Sequence, residues 1–260
     1  MIPNVVFFLF GFTPDYAGKS FSLVHYLAVK SAREVNHPDA IYLYCKYEPS
    51  GMWWEMTRPY VQLVQLDPPT HICGRPLCHP AHQADVVRLQ LLQQFGGIYL
   101  DIDVICVKPL THLLHHPFVL GQQGISGAEG LCNAIILSEK DAFFARKWLE
   151  GFDPQRSYWQ GFRSTGIDDY WCELSVEYPA FLAGVYPDAI WIEPHDSFHW
   201  PLYYEPHLAR LFKEKGAAFP NALCHHLWET LSWGPYLRDM SITDILETDA
   251  YFHALARRFL

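Results

Sequence analysis

No run of lysine and arginine in this 260-residue chain is long enough to track a phosphate backbone, and the net charge is −9, which argues against nucleic acid as a partner. Long apolar runs are missing as well. Near the start, Val5-Val6-Phe7-Phe8-Leu9-Phe10 has no basic region before it and no small-residue cleavage site after it. It is too short for a signal peptide or a transmembrane segment and reads as a first central strand. Repeats, low-complexity tracts and linkers are absent, so one domain over residues 1–260 is expected. Seven cysteines at scattered positions cannot all pair, and a chain of this length buries a core without staples. A cytoplasmic location is therefore expected, with a Golgi or ER lumen as the alternative if a membrane anchor belongs to the natural chain. Aromatic residues, by contrast, are plentiful at 16%, with nine Trp and fifteen Tyr, which suits sugar rings packing on exposed aromatic faces.

The informative stretch is Phe95-Gly96-Gly97-Ile98-Tyr99-Leu100-Asp101-Ile102-Asp103. Two glycines end a helix, a short apolar strand follows, and two aspartates one residue apart stand where it meets solvent. On an extended backbone Asp101 and Asp103 would share a face toward a cleft while Leu100 and Ile102 point into the core. Two hard oxygen ligands with room for water and phosphate suit Mg²⁺ or Mn²⁺, so the implied ligand is a metal–nucleoside-diphosphate complex. A solvated acidic turn would give the same letters. One helix upstream, predicted over Pro80 to Phe95, Arg88 falls on the apolar stripe of Ala84, Val87, Leu91 and Phe95 with Asp85 beside it. A guanidinium there needs a partner, either as an Asp85–Arg88 ion pair or as a ligand contact.

Taken together, Ala84-Asp85-Val86-Val87-Arg88, Gly96-Gly97-Ile98-Tyr99-Leu100-Asp101-Ile102-Asp103 and Lys108-Pro109-Leu110 resemble the core signature of glycosyltransferase family 32. Ala84 departs from it, since the family usually has Ser there. The resemblance implies a GT-A-type α/β fold: a Rossmann-like, mostly parallel sheet with helices on both faces. It implies a retaining transferase that moves a hexose or N-acetylhexosamine from a nucleoside-diphosphate sugar, UDP favoured over GDP, to an acceptor hydroxyl on a glycan or other acceptor. Asp103 would reach the ion directly and Asp101 would hold the ribose or a metal-bound water. Asp85, Arg88 and Asn133 would face the donor sugar and phosphate. Cys224-His225-His226-Leu227-Trp228 through Ser232-Trp233 resembles the family's closing element, with His226 as a metal ligand and Ser232 and Trp233 at the donor. No general base is implied, because in retaining enzymes of this type the leaving phosphate takes the acceptor proton.

The remaining elements alternate as strands and helices do in a sheet covered on both faces: a helix from Ser20 to Val35, a strand at Ile41 to Tyr44, a short helix at Trp53 to Tyr60 and a strand at Val61 to Leu66. Ligands in such sheets bind beyond the carboxyl ends of the strands, which makes Phe10 and Gly11 candidate nucleotide contacts, or else an ordinary loop. Cys73, Cys78, His79 and His82 carry the ligand types of a zinc knuckle, but the spacing matches no common finger and a plain loop is expected. A strand at Ala134 to Leu137, a helix from Asp141 to Glu150, another opened by Thr165-Gly166 and Asp168-Asp169, and a closing helix from Ser241 to Phe259 complete the expectation. The polar and aromatic stretch His195 to Pro201 is expected to line the acceptor cleft. Two rival functions use part of this pattern. A metal-dependent phosphohydrolase or nucleotidyltransferase would need further acidic ligands or a cationic clamp, and a carbohydrate-binding module would not explain Asp85 and Arg88 joined to Asp101 and Asp103.

Overall fold

The computed structural model describes residues 1–153, 155–156, 162–164 and 170–260. The first apolar run forms β1 (Val5–Leu9), followed by α1 (Leu23–Asn36), β2 (Ala40–Cys45), α2 (Met52–Thr57) and β3 (Gln62–Gln65). A hairpin of β4 (His71–Ile72) and β5 (Arg75–Pro76) leads to α3 (Pro80–Phe95), β6 (Gly97–Leu100) and β7 (Val104–Cys106). Next come β8 (Phe118–Gln122), β9 (Leu131–Ser138), α4 (Phe143–Glu150), α5 (Tyr178–Val185), β10 (Trp191–Glu193), α6 (His195–Phe198) and α7 (His207–Phe212). The chain closes with β11 (Cys224–His226), α8 (Glu229–Ser232), α9 (Ile242–Glu247) and α10 (Tyr251–Ala256). The helix expected to open at Thr165-Gly166 and Asp168-Asp169 has its start outside the described residues. Among the described residues, no helix is long and apolar enough to cross a membrane.

Seven strands form one sheet in the order β10-β8-β9-β6-β1-β2-β3, and only β9 runs against the others. This is a mixed sheet, as the alternation allows, and mostly parallel, as the resemblance implies. β1 is apolar throughout because it is covered on both faces. Val6 and Phe8 pack into the core that holds α1, while Phe7 and Leu9 pack with α3, α4 and α5 on the other side. The chain runs outward from β1 to β2 and β3, then returns through α3 to β6 on the opposite flank of β1. That reversal opens a crevice beyond the carboxyl ends of β1 and β6. Gly11 follows the first of these strands and Asp101 the second.

α3 has the expected ends, set by Pro80 in its first turn and by Gly96 after it at φ 67. Its cap is His79, whose Nδ1 accepts from Ala81 N–H at 3.1 Å. α1 starts later than expected because Ser22, not Ser20, is the cap. The Ser22 N–H donates to Nδ1 of His25 at 3.0 Å, an imidazole standing where a capping box usually has Glu. The single helix expected from Ser241 to Phe259 is broken between α9 and α10, where Thr248 is extended at φ −86 and ψ 127.

Candidate active site

Asp101 and Asp103 lie in a tight turn, not on the extended strand expected of them. Val104 N–H donates to Asp101 O at 3.0 Å, and Asp101 N–H is tied to Ala134 O of β9 at 2.8 Å. The turn is required because β7 leaves the main sheet to pair antiparallel with β11. Turn geometry replaces the pleat, so Ile102, expected in the core, lines the cleft together with both aspartates.

The β7–β11 register sets Val104 opposite His226, which brings His226 Nε2 to 3.4 Å from Asp103 Oδ2. One donor atom each from Asp101, Asp103 and His226 lies within 4.8 Å of the other two. Leu227 N–H donates to Asp103 O at 3.1 Å and Glu229 N–H to Asp103 Oδ2 at 2.7 Å, so that carboxylate is held from the side of β11. The Glu229 carboxylate itself turns away. It accepts from His25 Nε2–H at 2.6 Å and pairs with Lys19 Nζ at 3.1 Å.

The two aspartates differ electrostatically. Burial raises the Asp101 carboxyl, and the negative charge of Asp103 adds to that against the pull of Arg88. Burial would raise Asp103 too, but His226 and the Glu229 N–H outweigh it and hold the group at about 2. His226 is correspondingly lifted well above the ordinary histidine value, since the charge of Asp103 overcomes burial. Asp103 is thus the firmly ionised member of the pair.

Arg88 is buried, at 6% exposure, yet well supplied with acceptors. Its Nη1 donates to Asn133 O at 2.8 Å and lies 3.2 Å from Asp101 Oδ1, while Nη2 is 3.4 Å from Asp85 Oδ1. The guanidinium also rests over the Tyr99 ring at 4.5 Å, and Tyr99 OH donates to Asp101 Oδ1 at 2.6 Å. Asn133 Nδ2 donates to Asp85 Oδ1 at 2.7 Å. Asp85, Arg88, Asp101 and Asn133 form one linked network at the wall of the cleft. Of the two readings for Arg88, the structure holds the ion pair with Asp85, and the guanidinium reaches Asp101 as well.

The cleft is a cavity of about 550 Å³ that takes in Arg88, Asp101, Asp103, Asn133 and His226. A smaller hollow beside it is lined by Phe10, Gly11, Tyr16 and Lys19, and the two share Leu9, Ile102 and Glu229. Phe10 and Gly11 therefore stand at the neighbouring end of the site. Ser232 and Trp233 do not line the cleft. Ser232 OH donates to Leu227 O at 2.6 Å and shapes the turn after β11, and Trp233 stacks parallel to His25 at 6.2 Å. The stretch expected to line the acceptor side, His195 to Pro201, is displaced beneath it, with Ser197, Phe198 and His199 buried because α6 packs under β8 and β11. Trp171, Tyr203 and Trp228 line the cleft instead. Cys73 and Cys78 are exposed in the β4–β5 region and, among the described residues, belong to no cluster of metal-ligating atoms.

Tyr99 was legible: it stands two residues before Asp101, the spacing that shares a strand face. Lys19, Glu229, the aromatic wall and Cys132, which also lines the cleft, carry no local signal, because separate elements bring them together.

Fold and site define a glycosyltransferase. Residues 27–119 match the glycosyltransferase sugar-binding region containing a DXD motif. Over 272 aligned residues the chain is 32% identical to glucan organizing enzyme 1 of Cryptococcus neoformans, an alignment that spans 100% of this chain and 71% of that protein. Inositol phosphoceramide mannosyltransferase 3 of Schizosaccharomyces pombe is 49% identical over 45 residues, 17% of this chain and 13% of that protein. Among solved structures, mouse xyloside xylosyltransferase 1 shares the fold with a TM-score of 0.54 at 9% identity, over 87% of this chain and 98% of that one. The chain belongs to the family of glycosyltransferases whose sugar-binding region contains a DXD motif.

Proposed function

We propose that the protein moves a hexose or N-acetylhexosamine from a nucleoside-diphosphate sugar, UDP favoured over GDP, to a hydroxyl of a glycan or other acceptor, with retention of configuration and with Mn²⁺ or Mg²⁺ as cofactor. The observation that carries this reading is the convergence of Asp101, Asp103 and His226, with donor atoms within 4.8 Å of one another, at the crevice where the sheet order reverses. Asp103 and His226 would hold the cation directly and Asp101 directly or through water. When bound, the cation draws charge from the departing diphosphate. The protein's own part is to fix these ligands, with the Glu229 N–H holding Asp103 and with Tyr99 and Arg88 holding Asp101. Phe10, Gly11 and Lys19 would meet the nucleotide, Asp85 and Asn133 the sugar, and the aromatic wall of Trp171, Tyr203 and Trp228 the acceptor. Ser232 and Trp233, which the resemblance sets at the donor, would act through the shape of the turn after β11.

The carboxylate of Glu229 is engaged by His25 and Lys19, so it adds no third acidic ligand of the kind a phosphohydrolase would use. The names of the relatives, a glucan organizing enzyme and a mannosyltransferase, favour a hexose over other sugars. Incubation with a panel of UDP- and GDP-sugars and Mn²⁺ tests the reading. Cation-dependent release of the nucleoside diphosphate from at least one donor is expected, with sugar appearing on an added glycan and no turnover in excess chelator. Full turnover in chelator, or release of inorganic phosphate alone, would contradict it.

A further inference from the structure

We propose that Cys132, His199 and His226 form a second cation site beside the Asp101–Asp103 turn, and that this site takes Zn²⁺. A thiol sulfur and one nitrogen from each imidazole lie within 4.8 Å of one another. The three residues come from β9, from the position after α6 and from β11, so the cluster is made by the packing of separate elements.

His199 carries the inference. It is 0% exposed, and neither of its ring nitrogens has a hydrogen-bond partner. Its neighbours Phe198, His226 and Trp228 give it ring contacts only. A buried polar group left unpaired costs about 1–3 kcal/mol, and a neutral imidazole presents two such groups. His226 adds a third, since its Nε2 faces Asp103 while its Nδ1 is buried without a partner. A cation at the cluster would satisfy nitrogens that hydrogen bonds leave open.

The ligand types choose the ion. A thiolate with two imidazoles suits Zn²⁺, whereas the two carboxylates of the neighbouring turn suit Mg²⁺ or Mn²⁺. On binding, the Cys132 thiol gives its proton to solvent and the sulfur becomes the ligand, and His226 likewise gives up the proton on the ring nitrogen that turns to the ion. Three protein ligands leave a fourth tetrahedral position, and Cys132 and His226 both line the cleft from which water can fill it. The site requires neither nucleotide nor sugar, so its failure and the failure of the transferase reading are separable.

Titration of the purified full chain with Co²⁺, a spectroscopic stand-in for Zn²⁺, tests the site. One equivalent should produce a thiolate-to-cobalt charge-transfer band in the near ultraviolet, and one equivalent of Zn²⁺ should abolish it. Cys132→Ser should remove the band and His199→Gln should weaken Co²⁺ binding by more than about tenfold. Asp101→Asn and the Cys73→Ser/Cys78→Ser double variant should keep it. Circular dichroism checks that each variant folds. Should Cys132→Ser fail to fold, Zn²⁺ protection of Cys132 from alkylation in the wild type, located by mass spectrometry, replaces that arm. Absence of the band in the folded wild type, its survival in Cys132→Ser, its persistence undiminished in His199→Gln, or no Zn²⁺ protection would overturn the proposal.

Discussion

A guanidinium on the apolar stripe of a helix is tolerated only when nearby acceptors replace its water, and Arg88 finds them in Asn133 O, Asp101 and Asp85. Its planar fork touches groups in different directions at once, which a point-like ammonium cannot copy. Arg88→Lys should therefore lower kcat about 10–100-fold, the loss expected for one or two charge-assisted hydrogen bonds of about 1.5–3 kcal/mol. Steady-state kinetics alongside thermal denaturation separates this from simple unfolding. Wild-type turnover in Arg88→Lys would mean that the fork is not needed to place Asp101. At this scale much of the site was readable. Asp101 and Asp103 were named from residue type and spacing, Asp85 and Arg88 from their place on the helix stripe, and Asn133 from the resemblance alone, and all five line one cleft. Tyr99 could have joined them on the same spacing argument. Ser232 and Trp233 were placed by motif alone, and a motif does not say which residues face the ligand and which shape the backbone behind it.

Elements were legible where a chemical signal marks both ends. α3 has Pro80 to start it and Gly96 to stop it, and its bounds were read directly. Where the signal was ambiguous, the partner element decided. Leu100 to Asp103 reads as extended by alternation, but β7 must turn out of the sheet to meet β11, and no local residue announces that. The closing helix was read as one from the capping spacing of Ser241 and Asp244, which marks a start but no end, and Thr248 is extended instead. Gly97, which opens β6, gives an element-scale prediction. It sits at φ 124, and a Cβ there would lie 2.7 Å from Val5 O and 2.8 Å from Phe7 Cε2 on the neighbouring β1. Gly97→Ala should cost about 2–4 kcal/mol through backbone strain and overpacking combined. Gly74, at φ 76 in the β4–β5 turn, has nothing within 4 Å of the same built atom, so Gly74→Ala should show the conformational strain alone, about 1 kcal/mol. Denaturant unfolding of both variants checks the contrast, and equal losses would show that the approach of β6 to β1 is not tight.

At the scale of the whole molecule, the alternation of strands and helices predicts a parallel or mixed sheet, the resemblance adds that it is mostly parallel, and the reversal of strand order opens the crevice beside Asp101. What the alternation could not show is which distant segments close the site. Lys19 and Glu229 are 210 residues apart and meet as an ion pair, and Glu229 in turn holds Asp103 through its backbone. Such contacts depend on the path of the chain after β9, which no periodicity encodes. His226 is the exception, legible by resemblance and brought beside Asp103 by a three-residue strand. The central claim is that Asp103 and His226 hold the divalent cation that the donor diphosphate needs. A crystal structure of the protein with UDP and Mn²⁺, the ion located by its anomalous scattering, tests it most directly. The account predicts the ion bonded to an Asp103 oxygen and to a His226 ring nitrogen and touching the diphosphate. An ion more than roughly 4 Å from the His226 ring, well beyond a first-shell metal–nitrogen bond, would contradict it.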